Sequence, residues 1–134
     1  MEELNTVDKG DASEAAVIAE LKKRGKTVLI PFGDNQRYDI VIEDDGFERV
    51  QIKTAREKEN VKVMFDTAGS HTNSKGTKKK PYSKNEIDSF IIYNQVRDIV
   101  YKIPIEEAPN TNMIIRHKPK QDQPSINWAE DYVL

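Results

Sequence analysis

The chain has 134 residues, long enough for one domain with one core; 33% are charged and only 7% aromatic, so the interior must be mostly aliphatic. It has no cysteine, which excludes disulfides, thiol catalysis and cysteine-ligated zinc; no apolar run is long enough to span a membrane and residues 1–10 are too polar for a signal peptide, so a cytoplasmic location is the default expectation. The net charge of −2 hides an asymmetry: residues 67–85 hold five lysines and no acid, which leaves −7 on the remainder, and such a local basic patch is what phosphate binding needs.

In chain order, residues 1–9 read as a flexible lead-in. Residues 11–24 read as a helix, with Asp8 or Asp11 as N-cap and Gly25 as the stop. Its apolar stripe is Val17, Ile18 and Leu21, and Glu14 lies three, four and seven residues before these, along the same stripe. That acid is either a first-turn glutamate favoured by the helix dipole or a functional carboxylate aimed at the sheet. Residues 26–30 read as a strand and 31–37 as a loop. Within the loop Asp34, Asn35, Gln36 and Arg37 are candidates for touching a substrate, and turn chemistry accounts for the first two equally well.

Residues 38–53, YDIVIEDDGFERVQIK, read as two strands joined by an acidic turn. Ile40 and Ile42 share one face of the first strand and Val50 and Ile52 one face of the second, so both strands bury a β-branched face. The turn sets the register. A two-residue loop would pair Asp39 with Ile52, whereas a three-residue loop, Asp44-Asp45-Gly46, pairs residue 43 with 47 and sets Asp39 across from Gln51. Gly46 suits the longer loop, whose third position requires a positive φ, so the three-residue loop is expected. Asp39, Gln51 and Lys53 then share one surface. This is either an acid, an amide and an ammonium arranged around a hard cation such as Mg²⁺, or an ordinary polar cluster on a half-exposed hairpin.

Residues 61–65 read as a further strand, with Arg56, Lys58 and Lys62 flanking the candidate site or simply charging an outer face. Residues 66–81, which include Lys75, Lys78, Lys79 and Lys80, read as a mobile basic loop suited to tracking a DNA backbone, and His71 within it is a possible proton donor or an incidental histidine. Ser83-x-x-Glu86 has the form of a capping box. Tyr82 and Asp88 read as scaffold, with Asp88 tying the turn to the sheet. Residues 89–93 and 99–103 read as buried strands and 113–117 as an edge strand. Ser125 could cap a last helix through Leu134 that buries Ile126, Trp128 and Val133 or offers them to a second subunit. These elements describe a single mixed α/β domain without repeats.

An acid on an early helix, an Asp at a strand start and an x-x-Lys strand shortly after resemble the PD-(D/E)XK nuclease superfamily, with Glu14, Asp39 and Gln51-Ile52-Lys53 as its elements. The runs KGDASEAAVIAELKKRG, PFGDNQRYDIVIEDDG, VQIKTA and KPYSKNEIDSFIIYN are similar to the group I intron-associated homing endonuclease branch, itself similar to archaeal Holliday junction resolvases. The resemblance spans residues 9–104. It implies a restriction-endonuclease-like core, a mixed central sheet flanked by helices. It also implies metal-dependent hydrolysis of phosphodiester bonds in double-stranded or branched DNA, by a homodimer or homotetramer. The implied metal ligands, for Mg²⁺ or Mn²⁺, are Glu14, Asp39, Gln51 and the Ile52 carbonyl. Lys53 is implied beside them as the residue that handles the water, and Arg37, Arg56, Lys75, Lys78, Lys79 and Lys80 are the expected DNA contacts. Two positions depart from the superfamily pattern: Gln51 stands where an acid is usual, although the intron-endonuclease branch carries Gln there, and Tyr38 stands where Pro is usual. The alternatives to a homing-type enzyme are a junction resolvase and, because of Gln51, a non-catalytic DNA-binding module with the same fold.

Overall fold

The computed structural model describes residues 4–123 and 125–134, without the side chains of His71 and Thr72. Residues 1–3 of the expected lead-in therefore lie outside the described residues. Helix α1 spans Thr6–Lys23, and its N-cap is Asn5, whose side chain accepts the Asp8 N–H at 2.8 Å. Residues 6–9 thus form the first turn of the helix and are not part of a lead-in. The cap satisfies a free N–H and Asp8 complements the dipole, which together outweigh Gly10 in the following turn. Gly25, at φ 74°, ends the helix as expected.

The strands are β1 Thr27–Leu29, β2 Ile40–Glu43, β3 Phe47–Thr54, β4 Arg56–Lys58, β5 Lys62–Asp66, β6 Ala68–Asn73, β7 Gly76–Pro81, β8 Ser89–Asn94, β9 Ile99–Pro104 and β10 Asn112–Arg116. The main sheet has the order β1-β2-β3-β8-β9, with β3 and β8 parallel and the other neighbours antiparallel. The β2–β3 register runs from Glu43↔Phe47 to Ile40↔Val50 around the three-residue loop, with Asp45 at φ 55° and Gly46 at φ 142°. The expected register holds.

That register puts β-branched residues on one face and polar residues on the other. Ile40, Ile42, Val50 and Ile52 pack with Ile91 and Val100 against Val17 and Leu21 of α1. Phe90, Ile92, Tyr101 and Ile103 form the opposite face. There the cover is a second, three-stranded sheet, β10-β5-β4, contributing Val63, Phe65, Met113 and Ile115. The mixed α/β core is as expected, but only one face is flanked by an α-helix. Each fully buried aliphatic side chain contributes roughly 1.5–3 kcal/mol by leaving water.

Two further expectations are corrected. Residues 68–81 form an antiparallel ribbon, β6–β7, paired from Ala68↔Pro81 to Asn73↔Gly76, where a loop was expected. Its backbone hydrogen bonds need no apolar alternation, so the sequence pattern gave no strand signal. The C-terminal segment is extended, not an α-helix: over residues 125–128 exposed and half-buried positions alternate, with Ile126 and Trp128 the half-buried ones, a period of two. A short 3-10 turn, Ala129–Tyr132, follows, and the Leu134 N–H bonds to the Val100 carbonyl at 2.9 Å. At the capping box, Glu86 Oε1 accepts the Ser83 N–H at 3.0 Å, and the short turn that such a box announces forms there.

Candidate active site

The site begins where β3 outruns β2. Pairing stops at Ile40↔Val50, one residue short of the expected Asp39–Gln51 opposition, and the Asp39 N–H turns to the Val50 carbonyl at 2.8 Å. In a continued ladder the Ile52 N–H would meet a carbonyl of the neighbouring strand. The Asp39 side chain takes its place, Oδ2 accepting the Ile52 N–H at 2.9 Å. This carboxylate caps a strand edge and is partly buried. Burial holds its pKa above the ordinary carboxylate value, opposed by the Ile52 hydrogen bond and the Lys53 charge. Beside it, Gln51 Nε2 reaches the Ile52 carbonyl only at 3.4 Å. That contact uses the amide nitrogen and leaves the oxygen end for another partner.

Helix α1 brings the second carboxylate. Ser13 is buried, and its hydroxyl pairs with that of Thr54 at 2.6 Å, fastening the helix to the end of β3. Glu14, the next residue, flanks the buried stripe of Ser13, Val17 and Leu21. Its pKa is raised by burial, then by the charges of Asp39 and Asp11. Two carboxylates that each disfavour ionisation, one feeling the other's charge, therefore meet at the end of β3.

Lys53 stands on the face of β3 away from α1 and is partly buried. Burial lowers its pKa; Asp66 and Asp39 oppose this, while Arg37 and Lys79 add to it. Its ammonium contacts the Ala68 carbonyl at 3.5 Å and lies 5.2 Å from the Tyr82 ring centroid. Among the described residues it has no ion pair.

The expected DNA contacts divide into three groups. Lys78, Lys79 and Lys80 are exposed along β7, and Lys75 is exposed in the turn of the same ribbon. Arg56 is exposed and pairs with Asp66 at 3.4 Å. Arg37 is engaged internally: Nη1 donates to Pro81 O at 2.8 Å and to Glu86 Oε1 at 2.9 Å, Nη2 to Lys80 O at 3.0 Å, and the guanidinium stacks on Tyr82 at 3.7 Å. The His71 side chain lies outside the described residues. The Ser13–Thr54 tether, the place of Asp66 and the two cations sharing Tyr82 all join residues distant in sequence, and no local pattern announces them.

As a cation site, Glu14, Asp39, Gln51 Oε1 and the Ile52 carbonyl offer only hard oxygen donors, which suits Mg²⁺ or Mn²⁺. No cluster of three or more His, Asp or Glu is placed to hold a metal among the described residues, so the two carboxylates would depend on the amide and the main chain. The cavities around Leu134 and beside Trp128 contain none of these groups. The candidate site lies at a corner of the sheet where Glu14, Asp39, Gln51 and Lys53 are each partly buried.

The structure is similar to that of a bacterial homing endonuclease, I-Ssp6803I, at 24% identity and a TM-score of 0.79, covering 97% of this chain and 89% of that one. That similarity establishes the shared fold. No curated protein matches the sequence. A family model described as PD-(D/E)XK endonuclease matches residues 4–134. With the whole described chain inside that match, the protein belongs to the PD-(D/E)XK endonuclease family.

Proposed function

We propose that the protein is a divalent-metal-dependent DNA endonuclease of homing-endonuclease type, with its active site at the β2–β3 corner. The observation that carries this reading is the combination of Asp39 and Glu14, both held above their ordinary pKa values, with a half-buried Lys53 that has no ion pair among the described residues. The Ile52 N–H cap gives Asp39 a structural use as well, but phosphodiester hydrolysis is what uses the two carboxylates and the lysine together. Glu14, Asp39, Gln51 and the Ile52 carbonyl would hold the cation, which when bound would supply Lewis-acid stabilisation of the phosphoryl charge. Asp39 is fixed by the Ile52 N–H, and Glu14 by the Ser13–Thr54 tether beside it. Lys53 orients the attacking water and stabilises charge on the phosphoryl oxygens, and burial lowers its pKa from the ordinary lysine value. The exposed lysines of β7 track the DNA backbone. Symmetric cutting of a duplex takes two such corners, so the active species is a homodimer or a dimer of dimers.

The test is incubation with supercoiled plasmid, linear duplex and a synthetic four-way junction in Mg²⁺, Mn²⁺ or EDTA. Discrete metal-dependent duplex products are expected. Cutting confined to the junction would make the protein a resolvase. Gln51 favours one competing reading, a DNA-binding module without catalysis: binding without cutting under every condition, with cleavage gained on Gln51→Glu, would establish it.

A further inference from the structure

The base of the ribbon β6–β7 meets the core beside Lys53, whose ammonium contacts the Ala68 carbonyl. Tyr82 follows β7 directly. Its ring packs perpendicular to that of Phe90 in the core, with centroids 5.3 Å apart at 89°. The ring also meets two cations, the Arg37 guanidinium at 3.7 Å and the Lys53 ammonium at 5.2 Å from its centroid. Both distances lie within reach of the ring's quadrupole. Arg37 then grips the ribbon through the carbonyls of Lys80 and Pro81 and the following turn through Glu86. The opposite strand closes over this assembly at Gly69. A Cβ there would fall 2.7 Å from Arg37 Nη2 and 3.3 Å from the Tyr82 hydroxyl. The neighbouring residue, Ala68, is buried and supplies the carbonyl that Lys53 contacts.

We propose that Tyr82 and Arg37 are positioning residues: they rivet the base of the lysine-rich ribbon to the sheet, so that the Tyr82 ring and the Ala68 carbonyl fix where the Lys53 ammonium stands. The inference rests on the reading of Lys53 as the catalytic lysine. It changes the role expected of Arg37, whose fork and one face are spent on the rivet, leaving it poorly disposed to hold a phosphate. It also gives the ribbon two tasks, because the segment whose lysines meet the DNA backbone is the segment that holds the lysine facing the reacting phosphate. Without the rivet, DNA would still bind along the ribbon while the ammonium strayed. A misplacement of about 1 Å costs up to roughly 10²-fold in rate.

The test is steady-state cleavage of a duplex by the full chain in Mg²⁺, resolved into kcat and KM and repeated across salt concentrations. The variants are Tyr82→Leu, Tyr82→Phe, Arg37→Lys, Arg37→Leu and Gly69→Ala, with Lys53→Ala as reference. Tyr82→Leu, Arg37→Lys and Gly69→Ala are expected to lower kcat by about 10- to 100-fold, with KM and its salt dependence near wild type. Tyr82→Phe keeps the ring and should restore most of kcat. Arg37→Lys is decisive because it keeps the charge and loses the planar fork. If Arg37 instead held a phosphate, Arg37→Lys would keep kcat, and Arg37→Leu would raise KM and reduce the salt slope by about one. That result, or wild-type kcat in both Arg37→Lys and Tyr82→Leu, overturns the inference. Should Tyr82→Leu fail to fold, Gly69→Ala and Arg37→Lys decide, since neither empties the core. Wild-type cleavage by Lys53→Ala would overturn the underlying reading of Lys53; an inactive Lys53→Ala beside fully active rivet variants would overturn only the rivet.

Discussion

Strand β3 carries two cations on one face, Arg49 and Lys53, and the fold surrounds them in opposite ways. Arg49 donates through Nε and Nη2 to the two oxygens of Asp88, both at 3.2 Å, and to the carbonyls of Asn85 at 2.6 Å and Lys84 at 2.9 Å. Its own N–H adds a bond to Asp88 Oδ2 at 2.8 Å. Each charge steadies the other: Asp88 holds the Arg49 pKa up, and Arg49 holds that of Asp88 down. Four residues along the strand, Lys53 has one long contact with a carbonyl, and its protonation is disfavoured, as the ionisation of Asp39 and Glu14 is. The first assembly is explained by folding alone, since it ties the turn at residues 83–88 to the sheet. The second opposes folding at neutral pH and is explained by chemistry.

Substitutions should separate the two ends of the strand. The largest effect is expected from Lys53→Ala, which should lower kcat for plasmid cleavage by about 10²–10⁴-fold while the chain stays folded. Asp88→Ala should do the reverse. It removes a charged pair and the Arg49 N–H acceptor, both partly solvent-exposed, and should lower stability by about 1–2 kcal/mol in urea denaturation, with cleavage retained well below the melting temperature.

Asp39→Asn gives a smaller effect of opposite sign. Between the ordinary Asp39 value of 3.8 and its higher folded value, the folded chain keeps a proton that the unfolded chain has released. Stability therefore falls as pH rises through that window and remains reduced at neutral pH. Removing the charge should raise the melting temperature in EDTA by about 2–4 °C at pH 7, a shift that would vanish at pH 3. Asp88, whose value is lowered, gives the opposite profile: its stabilisation is present above 3.8 and lost as pH falls through its folded value. The smallest effect is expected from Gln51→Glu. A third carboxylate should lower the Mg²⁺ concentration for half-maximal cleavage by about three- to ten-fold.

The corner was legible in sequence because local chemistry fixes it. Gly46 set the loop length, the loop set the register, and alternation assigned the faces of Ile40, Ile42, Val50 and Ile52. The Asp88 tie was legible for a similar reason, lying beside a recognisable capping box. Contacts between distant segments were not. Nothing near Ser13 indicates Thr54, and nothing near Arg37 indicates Tyr82 or Gly69. The second sheet pairs β5 with β10, a long-range contact whose partner the sequence pattern did not specify. The β6–β7 ribbon escaped because its strands are held by main-chain bonds and carry no apolar alternation, and the start of α1 because Gly10 concealed a helix capped at Asn5.

The most direct test of the β2–β3 corner as a metal-dependent nuclease site is cleavage of supercoiled plasmid by wild type and Asp39→Ala, each in Mg²⁺, Mn²⁺ and EDTA. Wild type should cut with either metal and not in EDTA, and Asp39→Ala should bind the plasmid without cutting it. Cutting by wild type in EDTA, or equal cutting by Asp39→Ala, would contradict the assignment of this corner.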